Sequence, residues 1–314
     1  MSRYILQRLL FIPPTLLGVT LLVFMAIRLI PGGAASAALG ENATPQAVHD
    51  LEHKLGLDRS IPEQYVRWVG GVAHGDFGDS IQLKRSVSQE LKTFVPVTLE
   101  LGLIAMLISV CIALPIGTLS AMRQDRLVDY GARSLAILML SIPSFWLGTL
   151  VLTFGSVWFN WAPPLKYYSL FDSPTKNFAI LIAPALILGA ALSGTVMRLT
   201  RAQMLEVLRQ DYVRTAWAKG LQERTVIARH AVRNAFIPVV TVIGLQVPVV
   251  IGGTVILETI FSIPGMGRFL VNAISARDYT VIQAVNLIVA AIAITANLVV
   301  DVSYSILDPR VRYG

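Results

Sequence analysis

Cysteine is almost missing from this chain: its 314 residues include one, Cys111, so an internal disulfide is excluded and the redox compartment stays open. Charge is scarce as well. Asp, Glu, Lys and Arg make up 14% of the residues against 54% hydrophobic, a balance that no soluble domain could keep off its surface. The phosphate-cradling loop G-x-x-x-x-G-K-[ST] is absent, and so is the nucleophile elbow G-x-S-x-G. The chain therefore neither binds ATP through a phosphate loop of its own nor shows hydrolase chemistry.

Ionisable residues are also lacking where an ion-coupled carrier would need them. Arg28, Glu100, Glu258 and Asp301 fall at the edges of the apolar runs, where snorkelling or hydration is expected to keep them tolerable, and none falls at a midpoint. This disfavours a stand-alone secondary transporter. No obvious inverted repeat supports one either, and no catalytic pair within the runs points to an intramembrane enzyme.

What the chain does have is six long apolar runs: Leu9 to Ile27, Leu101 to Met122, Ser134 to Leu165, Asn177 to Met197, Asn234 to Leu257 and Tyr279 to Val300. Each is near or above the roughly 20 residues that cross a bilayer as helix. An all-α integral membrane protein with six spans is expected. The third run is longer than needed, and Pro163-Pro164 places its helical end near Phe159, beside an aromatic belt of Trp158, Trp161, Tyr167 and Tyr168. The first run follows a short basic head without a small-residue cleavage site and reads as a retained span. Pro13, Pro115, Pro143, Pro184 and Pro248, with Gly117, Gly148, Gly189, Gly244, Gly252 and Gly253, would let these helices bend and approach closely.

With the N-terminus inside, cytoplasmic pieces carry 15 of the 26 Lys and Arg, among them Arg3, Arg8, Arg310 and Arg312, while the short outer loops hold only Lys166, Lys176, Arg268 and Arg277. Both termini are expected in the cytoplasm. Topology thus accounts for the net charge of +7, and no nucleic-acid partner is implied. The organisation reads as a head and first helix over residues 1–30, an external helical subdomain over 31–95, and a core over 96–314 with a cytoplasmic loop at 200–236.

That loop holds Arg201, Arg209, Arg214, Lys219, Arg224, Arg229 and Arg233 in helix-forming sequence. A bare connection needs only a few residues, so a docking platform for a soluble partner is expected, with contact to anionic lipid as an accompanying role. Ala216 and Gly220, four apart, would form a small-residue strip flanked by Arg214, Lys219 and Arg224.

In the external segment, Thr44-Pro45 starts a helix with Val48, Leu51 and Leu55 on one face and Gly56 at its end. Ser60 and Glu63 have capping-box spacing for a second helix reaching Gly70-Gly71. Gly75 to Ser80, "GDFGDS", reads as a turn. His49-Asp50-Leu51-Glu52-His53 matches H-x-x-E-H, but without a third ligand it is read as a solvated helix face, and no metal is assigned. Asn42-Ala43-Thr44 is formally a glycosylation sequon and is read as the helix start.

Seven blocks in order, "RYILQRLLFIPPTLLGVTLLVFMAIRLIPG", "GENATPQAVHDLEHKLGLDRSIPEQYVRWVGG", "SIPSFWLG", "DYVRTAWAKGL", "RHAVRNAFIPVVTVIGLQ", "ETIFSIPGMGRF" and "NLVVDVSYSILDPRVRY", give a resemblance over almost the whole chain. It resembles a permease subunit of an ATP-binding-cassette importer, in the branch of dipeptide and oligopeptide B-type permeases. The resemblance implies a non-catalytic, multi-pass subunit of the bacterial cytoplasmic (inner) membrane. Its implied partners are a second homologous permease, two ATPases that hold ATP and Mg, and an external substrate-binding protein. The family's docking sequence maps to Arg214, Thr215, Ala216 and Gly220, within a coupling helix between Asp211 and Gln222 that takes in Lys219 and leads to Arg224. Arg214 and Thr215 stand where that pattern has an acidic residue and its first alanine. Gly75, Asp76 and Gly78, with Pro264, Gly265, Gly267 and Arg268 of "SIPGMGR", are the expected landing surface for the binding protein, by position alone. Peptides are the expected substrate, with glutathione, a nickel complex or another small solute as alternatives.

Overall fold

The computed structural model describes residues 2–29, 33–40, 43–164 and 166–307. The cations Arg310 and Arg312 and the end of the last resemblance block lie outside them. Fourteen α-helices form the described residues: α1 Ser2–Arg28, α2 Ala34–Leu39, α3 Pro45–Leu55, α4 Ile61–Ala73, α5 Val87–Met122, α6 Leu127–Ser141, α7 Ser144–Phe159, α8 Pro174–Leu208, α9 Asp211–Ala218, α10 Glu223–Thr225, α11 Arg233–Leu245, α12 Val247–Ile260, α13 Met266–Ser275 and α14 Tyr279–Leu307. A π-helical turn, Val226–Val232, joins α10 to α11. Extended structure among the described residues is confined to one bridge, Asp79 with Ser86. The all-α membrane architecture holds.

Five helical stretches are long and apolar enough to cross a bilayer: Leu10–Arg28, Val87–Met122, Pro174–Leu208, Glu223–Leu245 and Tyr279–Ser303. A sixth crossing exists only if α6 and α7 are counted together, and they meet at 89°. The single helix expected from Ser134 is therefore broken at Ile142. Pro143 lacks an N–H and pushes the residue before it out of helical geometry, and Ile142 sits at φ −86°, ψ 120°. The far end agrees with expectation: α7 stops at Phe159, with Asn160 left-handed and the Trp161 N–H donating to the Gly155 carbonyl. The run expected as one span from Asn234 to Leu257 also divides. Gln246 separates α11 from the shorter apolar α12, and its side-chain amide donates to the Leu192 carbonyl.

The chain forms two compact units. One comprises Leu99–Ile263 with the described residues from Ala296 onward. Its core is built around α8, where Ala113 of α5, Ala136 of α6, Val196 and Met197 of α8 and Val239 of α11 cluster out of solvent. Glycine makes the close approaches possible. A Cβ on Gly117 would lie 2.8 Å from the Met197 carbonyl oxygen, and one on Gly189 would lie 2.7 Å from that of Ala105. Gly252, by contrast, faces open space.

The other unit comprises Ser2–Thr98 with Pro264–Thr295. Here α3 begins as its local signals require: the Thr44 hydroxyl accepts from the Ala47 N–H, Pro45 opens the helix, and Gly56 closes it at φ 65°. The capping box at Ser60 does not form. Ser60 makes no side-chain cap, and the Glu63 carboxylate is held by Arg59 at 2.6 Å and by Arg67 at 3.3 Å. The turn after α4 closes through the Asp76 carboxylate, which accepts the Gly78 N–H at 2.9 Å. Asp278, almost fully buried, accepts the Ser80 hydroxyl and the Gln82 N–H and so ties this turn to the entrance of α14.

Candidate functional site

The long basic loop is shorter than the sequence implies. Helix α8 continues through Leu208, and helical structure resumes at Glu223, leaving α9 and its flanks as the connection. Within α9 the spacing of apolar residues decides the orientation. Val213 and Ala216, one turn apart, are buried with Val226 and pack against Val207 and Leu208 at the end of α8. Tyr212 and Trp217, which flank that buried pair on the helix, and Leu221 beyond its end are each about two-fifths accessible.

Ala216 and Gly220 do not form the expected surface strip. Ala216 faces the chain's own core, and Gly220 lies past the end of the helix, which stops at Ala218 with Lys219 as its cap. Gly220 takes a left-handed φ of 76°; its N–H donates to the Trp217 carbonyl and the Leu221 N–H donates to that of Ala216. That closure is why glycine stands there. Asp211 opens the helix and is loosely paired with Arg214 at 3.7 Å, while the Thr215 hydroxyl donates back to the Asp211 carbonyl. Arg214, Thr215, Lys219 and Arg224 are all exposed, and Lys219 and Arg224 have no carboxylate partner among the described residues.

Arg201 belongs elsewhere than among the docking cations. It projects from α8 onto Asp129 of α6, its Nε at 2.6 Å from Oδ1 and its Nη2 at 2.7 Å from Oδ2. The same carboxylate accepts the Ser120 hydroxyl of α5 at 2.6 Å and the Asp125 N–H at 3.0 Å. Asp129 is fully buried, so four donors replace its water. Sequence reasoning missed this cluster because Arg201, its charged partner, lies 72 residues from Asp129; the local signal was only an acid in the first turn of α6.

The external candidates divide. Gly75 and Asp76 are exposed and Gly78 is half-buried, but Gly265 and Gly267 are buried. The Met266 N–H between them donates to the Thr98 hydroxyl at 2.7 Å, and Phe269 packs at a tilt against Phe94, 4.8 Å between ring centres. In "SIPGMGR" only Ser262 is exposed and Pro264 and Arg268 are half-exposed, while Ile263, Gly265, Met266 and Gly267 are buried. Glu258 also departs from expectation, being completely buried rather than hydrated at a boundary. Glu100 accepts the Tyr167 hydroxyl at 2.6 Å, while its other oxygen, Oε1, is buried without a partner. Burial, and then the Glu100 carboxylate, push the Tyr167 phenol above its ordinary range. His53 faces Asp58 at 3.2 Å in solvent, and no group of three metal-ligating side chains gathers among the described residues.

Two family models match this chain. Residues 113–313 match the binding-protein-dependent transport system inner membrane component, and residues 1–102 match the N-terminal part of such membrane components. Among curated proteins, the chain is 41% identical to the di/tripeptide transport system permease protein DppB of Pseudomonas aeruginosa, over all of this chain and 99% of that one. It is 40% identical, with the same coverage, to the dipeptide transport system permease protein DppB of Escherichia coli K12. Among solved structures, an inward-facing form of the MetNI methionine ABC transporter aligns with a TM-score of 0.57 at 14% identity, covering 70% of this chain and 97% of that one.

Proposed function

The chain belongs to the family of binding-protein-dependent transport system inner membrane components, and from that premise we propose that it and a second homologous permease form the path by which an ATP-driven importer moves di- and oligopeptides. It is a multi-pass inner-membrane permease subunit, and ATP hydrolysis belongs to separate subunits. The choice of peptides is supported by full-length identity of about 40% to permeases named for dipeptides and di/tripeptides. An external binding protein would deliver them, landing near the exposed turn at Gly75 and Asp76. Both termini would face the cytoplasm, as the distribution of Lys and Arg favours.

One observation carries the coupling role: α9 is anchored by Val213 and Ala216, while Trp217 at its C-terminal end and Lys219, Leu221 and Arg224 in the chain that follows are exposed. An aromatic and an aliphatic side chain rimmed by unpaired cations fit a groove with an acidic edge. Two ATPases closing on ATP and Mg would pull such helices and rock the spans. The left-handed turn at Gly220 sets the direction in which Leu221 leaves the helix.

The test is import by the reconstituted complex in proteoliposomes, with ATP hydrolysis measured in parallel. A Cβ at Gly220 meets nothing within 4 Å, so Gly220→Ala adds only left-handed strain of roughly 1–2 kcal/mol, whereas Gly220→Trp adds bulk on the docking face. Import should fall at least tenfold in Gly220→Trp while hydrolysis persists, with Gly220→Ala close to wild type. Undiminished import in Gly220→Trp would count heavily against the docking role.

A further inference from the structure

Within the unit made of Ser2–Thr98 and Pro264–Thr295 lies a cavity of about 770 Å³, bordered on one side by Asp76 and Gly78 of the exposed turn. Its size is that of a small-ligand cleft. The charges around it are one-sided: Arg28, Lys54, Arg59, Arg67 and Lys84 line it against only Asp76 and Asp79. Asp76 is occupied by the Gly78 N–H. Arg59 and Arg67 share Glu63. Arg28, Lys54 and Lys84 have no carboxylate partner among the described residues, and the five cations set against Asp76, Asp79 and Glu63 leave a net positive charge of two.

Two further features are those of a built site. The Arg28 guanidinium is held rigid, since its Nε and Nη2 donate to the Gln64 side-chain oxygen at 3.2 and 3.0 Å and its carbon sits 3.5 Å from the centre of the Phe24 ring. Gln64 is fixed in turn, its amide donating to the Leu57 and Arg59 carbonyls. Across the cavity, Gln283 is more than nine-tenths buried and its Nε2 has no hydrogen-bond partner. A buried donor without an acceptor is destabilising, and an oxygen-rich ligand would remove that cost.

The position narrows the ligand. Arg28 is the last residue of one candidate span and Tyr279 the first of another, and both line the cavity. The site therefore stands where helices leave the apolar layer, at the depth of lipid headgroups, and Trp68 supplies an amphipathic wall of the kind found at that depth. We propose that this cavity is a phosphate oxyanion site, with Arg28, Lys54, Lys84 and Gln283 as donors, filled by the headgroup of an anionic phospholipid. A free phosphate shares that chemistry, and the two sources separate experimentally. The inference is independent of what the permease carries.

Full-length protein in a mild neutral detergent is titrated with phosphatidylglycerol or phosphatidylcholine and followed by native mass spectrometry. In parallel, its melting temperature is read in inorganic phosphate against chloride at matched ionic strength. One phosphatidylglycerol should bind at least tenfold tighter than phosphatidylcholine. Each cation near a headgroup is worth about a fivefold change in affinity, so Lys54→Gln/Lys84→Gln should weaken it about 25-fold. Both side chains are exposed, so this variant should fold, and Lys92→Gln, outside the cavity, should leave binding unchanged. Gln283→Leu should weaken it as well. A melting rise in inorganic phosphate that the double variant abolishes would assign the same site to a soluble phosphate. Equal phosphatidylglycerol affinity in wild type and double variant, with no phosphate response, would overturn the proposal.

Discussion

Removing the Arg201 guanidinium while leaving Asp129 in place is the most discriminating single change the structure offers. The Asp129 side chain has no accessible surface, whereas that of Arg201 is 21% accessible. Arg201→Met therefore leaves a carboxylate that cannot reach water and keeps only the Ser120 hydroxyl and the Asp125 N–H. Breaking a buried pair in this way costs about 3–5 kcal/mol. For a chain of this size that is a melting shift of roughly 6–10 °C, at about 2 °C per kcal/mol. Asp129→Asn should cost less, about 1–3 kcal/mol, because the partly accessible Arg201 recovers some hydration and the amide retains hydrogen bonds. Asp129→Leu/Arg201→Met should lie well above Arg201→Met, since replacing both members of a buried pair by apolar groups is often neutral. The readout is the melting temperature of detergent-purified protein by size-exclusion chromatography after heating. If Arg201→Met melts with wild type, or if the double variant melts no higher than the worse single, the buried-charge reasoning is refuted.

Two further outcomes are expected in the same assay. Gly117→Leu should destabilise by roughly 1–3 kcal/mol, because even its Cβ would meet the Met197 carbonyl oxygen and Thr200, while Gly252→Ala, facing open space, should leave melting unchanged. Tyr167→Phe should lower stability by about 1–3 kcal/mol, since Glu100 would lose the one hydroxyl that partners it while Oε1 is already without a donor; Tyr167→Phe/Glu100→Leu should recover much of that loss.

What was legible in the sequence was local. The bounds of α3 follow from Thr44, Pro45 and Gly56 because each acts on backbone groups within four residues of itself. The membrane class follows from apolar runs whose length is a bulk property. Ile142 escaped for the same reason: the run through it is uninterrupted in hydropathy, while the break is a backbone torsion imposed by Pro143. Asp129 and Arg201 are 72 residues apart, and nothing in either neighbourhood announces the other. The inward face of α9 was within reach, since Val213 and Ala216 stand three apart among polar and aromatic neighbours and so share one side of the helix. Reading Ala216 together with Gly220 assumed a helix two residues longer than the one that forms.

The consequence of that correction is mechanical. Val213 and Ala216 share a core with Val207 and Leu208, so α9 is fastened to the last turn of α8 rather than hung from it. From Leu208 back to Arg201 is about two turns of continuous helix, roughly 10 Å. There the bidentate pair holds α8 to Asp129, and through the same carboxylate to Ser120 at the end of α5 and to the turn at Asp125. A load applied at Trp217 therefore has a stiff route into the paired ends of α5 and α6, with the buried carboxylate as its joint. Loosening that joint without unfolding the chain, as Asp129→Asn does, should reduce import per ATP hydrolysed more than it reduces melting temperature. A variant that lost stability and transport in equal proportion would show that Asp129 merely supports the fold and transmits nothing.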